Sequence, residues 1–235
     1  MNDKIEYKII LLGDSSVGKT SFFKKVTSGV FYETNISSIG MDKSSINFDI
    51  DINENNKITN KSFKITLVDT AGQERFKSLT KSFYKGADCI LLIYDITNKD
   101  SFNKISYWIS TINDAIGFYR DNSKYIIVVL GQKVDLVEID YNKRAVEKEE
   151  AESMCNDNDL IWGGECSAKT FTSEELKDLL KIYVQKIYEK VGIKISIQNV
   201  KNLNQYNNKS NDKKGDLIYN DPYISYSKRK KKCCS

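Results

Sequence analysis

No apolar run in the 235 residues approaches the ~18 that a membrane-spanning helix needs. The opening residues carry no secretory signal pattern, and Asn2 breaks the N-myristoylation motif. Five cysteines without regular spacing argue against a disulfide framework and against a zinc site. Cys89 and Cys166 lie in apolar strand contexts and read as core, while Cys155 sits on a polar helix and receives no role. This usage fits a reducing, intracellular compartment. Proline is almost missing: Pro222 is alone. Charge is unevenly spread. Residues 192–235 hold ten basic and three acidic side chains, so against a formal total of +4 the remainder is left mildly acidic. A basic end on such a body points to an anionic surface as its partner.

Strand-like runs are Ile5–Leu12, Ile46–Ile52, Phe63–Val68, Cys89–Tyr94, Tyr125–Leu130 and Leu160–Cys166. They alternate with helix-like segments at Lys19–Thr27, Ser101–Tyr119, Arg144–Asn156 and Ser173–Val191. The later runs lack period-2 alternation, as parallel strands covered on both faces do. The pattern predicts an α/β fold with a doubly wound, mostly parallel six-stranded sheet. The second and third runs have no helix between them, so they form an antiparallel hairpin with a long Asn- and Lys-rich tip over Asp51–Lys61. Ser173 offers an N-cap to the last helix without a full capping box. Beyond Val191 periodicity fades, which divides the chain into a domain over 1–191 and a disordered tail over 192–235.

Residues 13–21 read Gly-Asp-Ser-Ser-Val-Gly-Lys-Thr-Ser and follow the first strand directly. This is G-x-x-x-x-G-K-[ST] between a strand and a helix, the context that makes it a phosphate loop. Gly13 and Gly18 permit close backbone approach. The N–H groups of Ser15, Ser16, Val17, Gly18, Lys19, Thr20 and Ser21 then form a nest at a helix N-terminus. The Lys19 ammonium reaches β- and γ-phosphates, and the Thr20 hydroxyl ligates Mg²⁺.

Further stations follow later strands. Asp69 ends the third strand, where it holds Mg²⁺ through water. Gly72 presents its N–H to a γ-phosphate, and Gln73 orients an attacking water. Alone, Asp-Thr-Ala-Gly is also a common turn; its place after a phosphate loop gives it meaning. In Gln132-Lys133-Val134-Asp135 the Asp135 carboxylate accepts two hydrogen bonds from the N1–H and 2-amino edge of guanine, which adenine cannot offer. The Lys133 stem lies over the purine, although Lys-x-Asp elsewhere is a solvated turn. Ser167-Ala168-Lys169 offers backbone N–H groups to guanine O6. Phe31 either covers the base or packs a helix on the sheet. In sheets of this kind ligands bind outside the carboxyl ends of the strands, so all these stations face one crevice.

With these residues in view, the chain resembles the Ras-type small GTPases over about 5–191, and among them the Rab family. The resemblance rests on Ser38-Ile39-Gly40-Met41-Asp42, Asp69–Phe76 (DTAGQERF), Lys77–Thr80, Phe83–Ala87, Leu92–Thr97 and Glu165–Lys169. It implies a GTP/GDP switch in which Ser38 also ligates Mg²⁺ and two loops, about 31–42 and 70–84, order around the γ-phosphate. Lys19 and Gln73 would serve water attack on that group. Intrinsic turnover would be slow, and an activating protein would raise it by about 10³–10⁵. Exchange factors, GTPase-activating proteins, a GDP-dissociation inhibitor, an escort protein and effectors on the switch face are the implied partners; nucleic acid is not.

The chain ends in a basic run, Lys228–Lys232, and then Cys233-Cys234-Ser235. The basic run alone fits a nuclear signal, an RNA contact or a solvated tail. C-a-a-X is not met, since Lys232 stands fourth from the end. The paired cysteines resemble Rab tails that carry two geranylgeranyl groups, a firm anchor where one chain is marginal. Each basic residue near an anionic surface adds about 1 kcal/mol. A flexible tail of about forty residues has an rms reach of roughly 35 Å. The implied location is the cytoplasmic face of an intracellular membrane, with an inhibitor-bound cytosolic pool.

Four departures from the family stand out. Gln132 replaces Asn, predicting weakened guanine binding. Ser38 replaces Thr in the first switch. Lys43 and Val68 stand where Rab proteins present Phe and Trp to effectors, and the Asp51–Lys61 hairpin is long. A nucleotide-binding scaffold with little hydrolysis is therefore the competing reading. An ATPase or P-loop kinase is opposed by Asp135 and the DTAGQE loop.

Overall fold

The computed structural model describes residues 4–33, 42–54, 56–70, 84–116 and 125–191. The predicted Ser38, Gly72, Gln73, Cys233 and Cys234, most of both switch loops and the whole tail lie outside the described residues.

Six strands form one sheet in the order β2-β3-β1-β4-β5-β6. They are β1 Ile5–Leu12, β2 Asp42–Glu54, β3 Lys57–Asp69, β4 Cys89–Asp95, β5 Ile126–Gln132 and β6 Ile161–Cys166. Only β2 and β3 pair antiparallel; every other pairing is parallel. The doubly wound sheet is thus as the sequence reading has it. Helices α1 Lys19–Ser28, α2 Lys99–Asn103, α3 Ile105–Ile116, α4 Val134–Ile139, α5 Lys148–Asp157 and α6 Ser173–Val191 connect and cover it.

Side-chain alternation splits the core into two layers. Ile9 and Leu11 point to the face covered by α1 and α6, where Phe22, Leu180, Tyr183 and Ile187 are buried. Ile10 and Leu12 point the other way, against Trp108, Ile112 and Ala151 of α3 and α5. With both faces covered, β4 and β5 are buried along their whole lengths, which is why they read as continuous apolar runs. Among the described residues no helix is long and apolar enough to cross a membrane.

Several boundaries differ from the sequence reading for identifiable reasons. The hairpin has no long tip. The β2–β3 ladder runs unbroken from Asp42↔Asp69 to Glu54↔Lys57, so only two residues separate the strands. Asn56 takes φ 63° there, a left-handed conformation that Asn tolerates in tight hairpins. The polar side chains that suggested a loop are the solvent-facing half of a long ladder; its other half, Phe48, Ile50 and Ile52, is buried.

The helix predicted over Ser101–Tyr119 is two helices, α2 and α3, and residues 117–119 lie outside the described residues. Asn98 caps α2 by accepting from the N–H groups of Asp100 and Ser101. The segment predicted as helix from Arg144 becomes helical only at Lys148, because Arg144 turns back to bridge Glu165. The cap of α6 is Thr172 rather than Ser173, and its capping box is complete. Thr172 Oγ1 accepts from the Glu175 N–H at 3.2 Å, and Glu175 Oε2 accepts from the Thr172 N–H at 2.7 Å. Cys155, given no role, is fully buried between α5 and the sheet.

Candidate functional site

The predicted stations cluster at the carboxyl ends of the parallel strands, where the chain order reverses about β1. The loop 13–18 leaves β1 and enters α1 through Gly18, whose φ of 104° is in the left-handed region. Gly13 is sterically obligatory. A Cβ there would lie 2.1 Å from the Ile93 carbonyl oxygen, at φ 139°. The loop is thereby seated directly on β4.

Lys19 is buried, and its ammonium donates to the carbonyls of Gly13 at 2.9 Å and Asp14 at 2.6 Å. It therefore folds back over its own loop. Asp69 closes β3 and is completely buried. Among the described residues neither of its carboxylate oxygens has a hydrogen bond of good geometry; the Thr20 hydroxyl and the Thr70 N–H make only weak contacts with it. Burial holds this carboxyl above its usual range, outweighing the nearby Thr20 hydroxyl and Lys19 ammonium, which favour the ionised form. A buried carboxylate without a partner is costly unless a cation completes it. Thr20 at the start of α1 and Asp69 thus make an oxygen-only donor pair of the kind that suits Mg²⁺.

The other end of the crevice is a cavity of about 310 Å³ lined by Ser16, Gly18, Ser21, Phe31, Gln132, Lys133, Asp135, Leu136, Ser167, Ala168 and Lys169. That is the lower end of the ~300–1,000 Å³ usual for small-molecule sites. Asp135 lies in the first turn of α4 and is buried. The Ser167 hydroxyl donates to its Oδ1 at 2.6 Å. Among the described residues no partner holds Oδ2. Ser167 Oγ in turn accepts from the N–H groups of Lys169 at 3.0 Å and Thr170 at 3.2 Å. Lys133 takes φ 72° and pairs its ammonium with Asp95 Oδ2 at 2.7 Å, which stretches the stem along the cavity wall. Phe31 lines the same cavity, so the base-covering alternative gains support over simple packing.

Gln132 is 1% exposed. Its amide oxygen accepts from the Ala168 N–H at 3.2 Å, and its amide nitrogen donates to Cys166 Sγ at 3.2 Å. A Cβ built on Gly18 would sit 3.7 Å from the Gln132 Cγ and Oε1.

A family model described as "Ras family" matches residues 8–189. GTP-binding protein YPT52 of Saccharomyces cerevisiae is 33% identical over 201 residues, which covers 79% of this chain and 83% of that protein. Ras-related protein Rab-26 of Bos taurus is 36% identical over 173 residues, covering 73% of this chain and 60% of that protein. The chain belongs to the Rab branch of the Ras family.

In this small GTPase the described stations stand at the ends of β1, β3, β5 and β6. Three supporting residues escaped the sequence reading. Asp95, at the end of β4, anchors Lys133. Arg144 makes a bidentate pair with Glu165 at 2.7 and 2.8 Å, both side chains nearly buried, and so fixes the strand that carries Ser167. Lys104, between α2 and α3, pairs with Asp14 of the phosphate loop. Asp95 was findable as an acidic residue closing an apolar strand; the other two pairs are contacts between elements far apart in sequence. Val68 faces Lys43 across the β2–β3 ladder, and its side chain is buried with Ile10 and Tyr84.

Proposed function

We propose that this GTPase binds GTP and GDP with Mg²⁺ in the crevice, hydrolyses GTP slowly, and switches two loops that effectors read during vesicular trafficking on an intracellular membrane. The observation that carries the reading is the Asp69 carboxylate, buried beside Thr20 and Lys19 at the foot of the phosphate loop with no well-formed hydrogen bond among the described residues.

In this reading the N–H groups of the loop and the Lys19 ammonium hold the β- and γ-phosphates. Lys19 would exchange its carbonyl partners for phosphate oxygens, a stronger charge-assisted contact. Thr20 and Asp69, joined by Ser38, would hold Mg²⁺, which when bound neutralises charge on the phosphates. Asp135, oriented by Ser167, accepts from the N1–H and 2-amino edge of guanine. Gln73 directs water at the γ-phosphorus, and partner proteins raise the rate. Exchange factors, activators, an inhibitor and an escort protein act on the domain, and Cys233 and Cys234 carry lipid that holds it at the membrane.

Fluorescent GDP binding, competed with unlabelled GTP and ATP at fixed Mg²⁺, tests the site. GTP should displace the probe and ATP should not; equal competition by ATP would defeat the guanine assignment. Phosphate release in a single turnover distinguishes the second reading, a binding scaffold, which the altered contacts of Gln132 favour. Absence of release after prolonged incubation would select it.

A further inference from the structure

We infer that Gln132 competes with the 6-oxo group of the nucleobase for one donor, the Ala168 N–H, and so makes this GTPase unusually tolerant of purines that lack that oxygen. The inference rests on the guanine reading above. There, Ala168 is among the residues whose backbone N–H groups meet guanine O6. In the structure the same N–H already has an acceptor, Gln132 Oε1 at 3.2 Å.

The contact is a committed one. The amide is buried, and its nitrogen is tied to Cys166 Sγ at 3.2 Å. The Ala168 N–H, which can only donate, fixes the amide with its oxygen toward the backbone and leaves the N–H₂ group for the sulfur, a weak acceptor. Gly18 lines the same cavity as this side chain, so the amide stands between the phosphate loop and the 167–169 loop. One N–H makes one good hydrogen bond. A 6-oxo purine must therefore displace the amide oxygen or share the donor at poorer geometry, and its net gain is the difference between two similar bonds. A purine without the oxygen leaves the Gln132–Ala168 bond intact and no buried donor orphaned. Selection at the N1 and 2-amino edge, which belongs to Asp135, is untouched.

The test compares dissociation constants of GDP and of 2-aminopurine riboside diphosphate, with Mg²⁺, for the full chain and for Gln132→Ala and Gln132→Met. The Met variant keeps side-chain length and removes the acceptor, which guards against collapse of the Ala variant. The analogue also lacks N1–H, but that loss at Asp135 is common to all three proteins and cancels in the comparison. The preference for GDP over the analogue should rise about five- to tenfold in both variants, because Ala168 then depends on the base for its acceptor. Equal preference within twofold across the three proteins, with GDP bound by all, would overturn this inference alone. No GDP uptake by the unaltered chain would overturn the guanine reading and this inference with it.

Discussion

The two ends of the crevice handle their polar groups in opposite ways. At the phosphate end Asp69 is buried with no well-formed hydrogen bond among the described residues, and Lys19 leans on two backbone carbonyls. At the base end Ser167 holds one oxygen of Asp135, Gln132 holds the Ala168 N–H, and Lys133 is paired with Asp95. The difference follows from charge. A polyphosphate with its metal offers large electrostatic gains, so groups held unsatisfied for it are compensated on binding. A neutral base offers only hydrogen-bond exchange worth about 1 kcal/mol each. Its pocket therefore stands with most of its polar groups already paired, and bonds are swapped there.

The comparison makes opposite predictions for mutations at the two ends. Ser167→Ala should destabilise the most, on the order of 3 kcal/mol in urea unfolding. It removes a charge-assisted bond to buried Asp135 and the acceptor for two N–H groups. A change within 0.5 kcal/mol would mean that the base-end network is not a unit. Asp69→Asn should act the other way. Replacing a buried ionised carboxylate with a neutral amide should stabilise the protein by about 1–2 kcal/mol when unfolding is followed in EDTA without nucleotide. The same change should abolish the tightening of GDP binding by Mg²⁺. A destabilised variant would show that Asp69 is better satisfied than its surroundings indicate.

The smallest effect belongs to the rim of the phosphate end. Lys104→Ala removes the ion pair with Asp14, whose side chains are 53% and 22% exposed, and should cost about 0.2–1 kcal/mol at neutral pH. Burial pushes the Asp14 carboxyl up, but the hydrogen bond and charge of Lys104, with the Ser15 N–H, pull it further down, below its ordinary value. A depressed folded pKa means that this stabilisation is fully present above the unfolded value and is lost as pH falls through the folded one. The two proteins should therefore differ at pH 7 and converge in acid once the pH falls below the depressed folded pKa. A difference that persists or grows in acid would show that the lysine acts by packing.

Legibility followed the range of the interactions. Gly13, Lys19 and Asp69 were found because local chemistry demands those residue types at strand ends, and the structure brings them together. The hairpin was misread because its alternate Asn and Lys residues look like a loop until the buried Phe48, Ile50 and Ile52 are seen to share the other face. The capping box at Thr172 was missed by one residue, although Thr172 and Glu175 are both plain in the sequence. Arg144–Glu165 and Lys104–Asp14 had no local signal.

The sequence by itself determined the sheet's strand types, the phosphate loop and the residues that end its strands, since periodicity and motif spacing are properties of neighbours along the chain. Only the tertiary structure decided that Asp69 is buried with no well-formed hydrogen bond among the described residues and that Gln132 already holds the Ala168 N–H. Partner satisfaction depends on which groups meet across β1, β3, β5 and β6. Those meetings are set by packing in three dimensions, to which local residue preferences are blind.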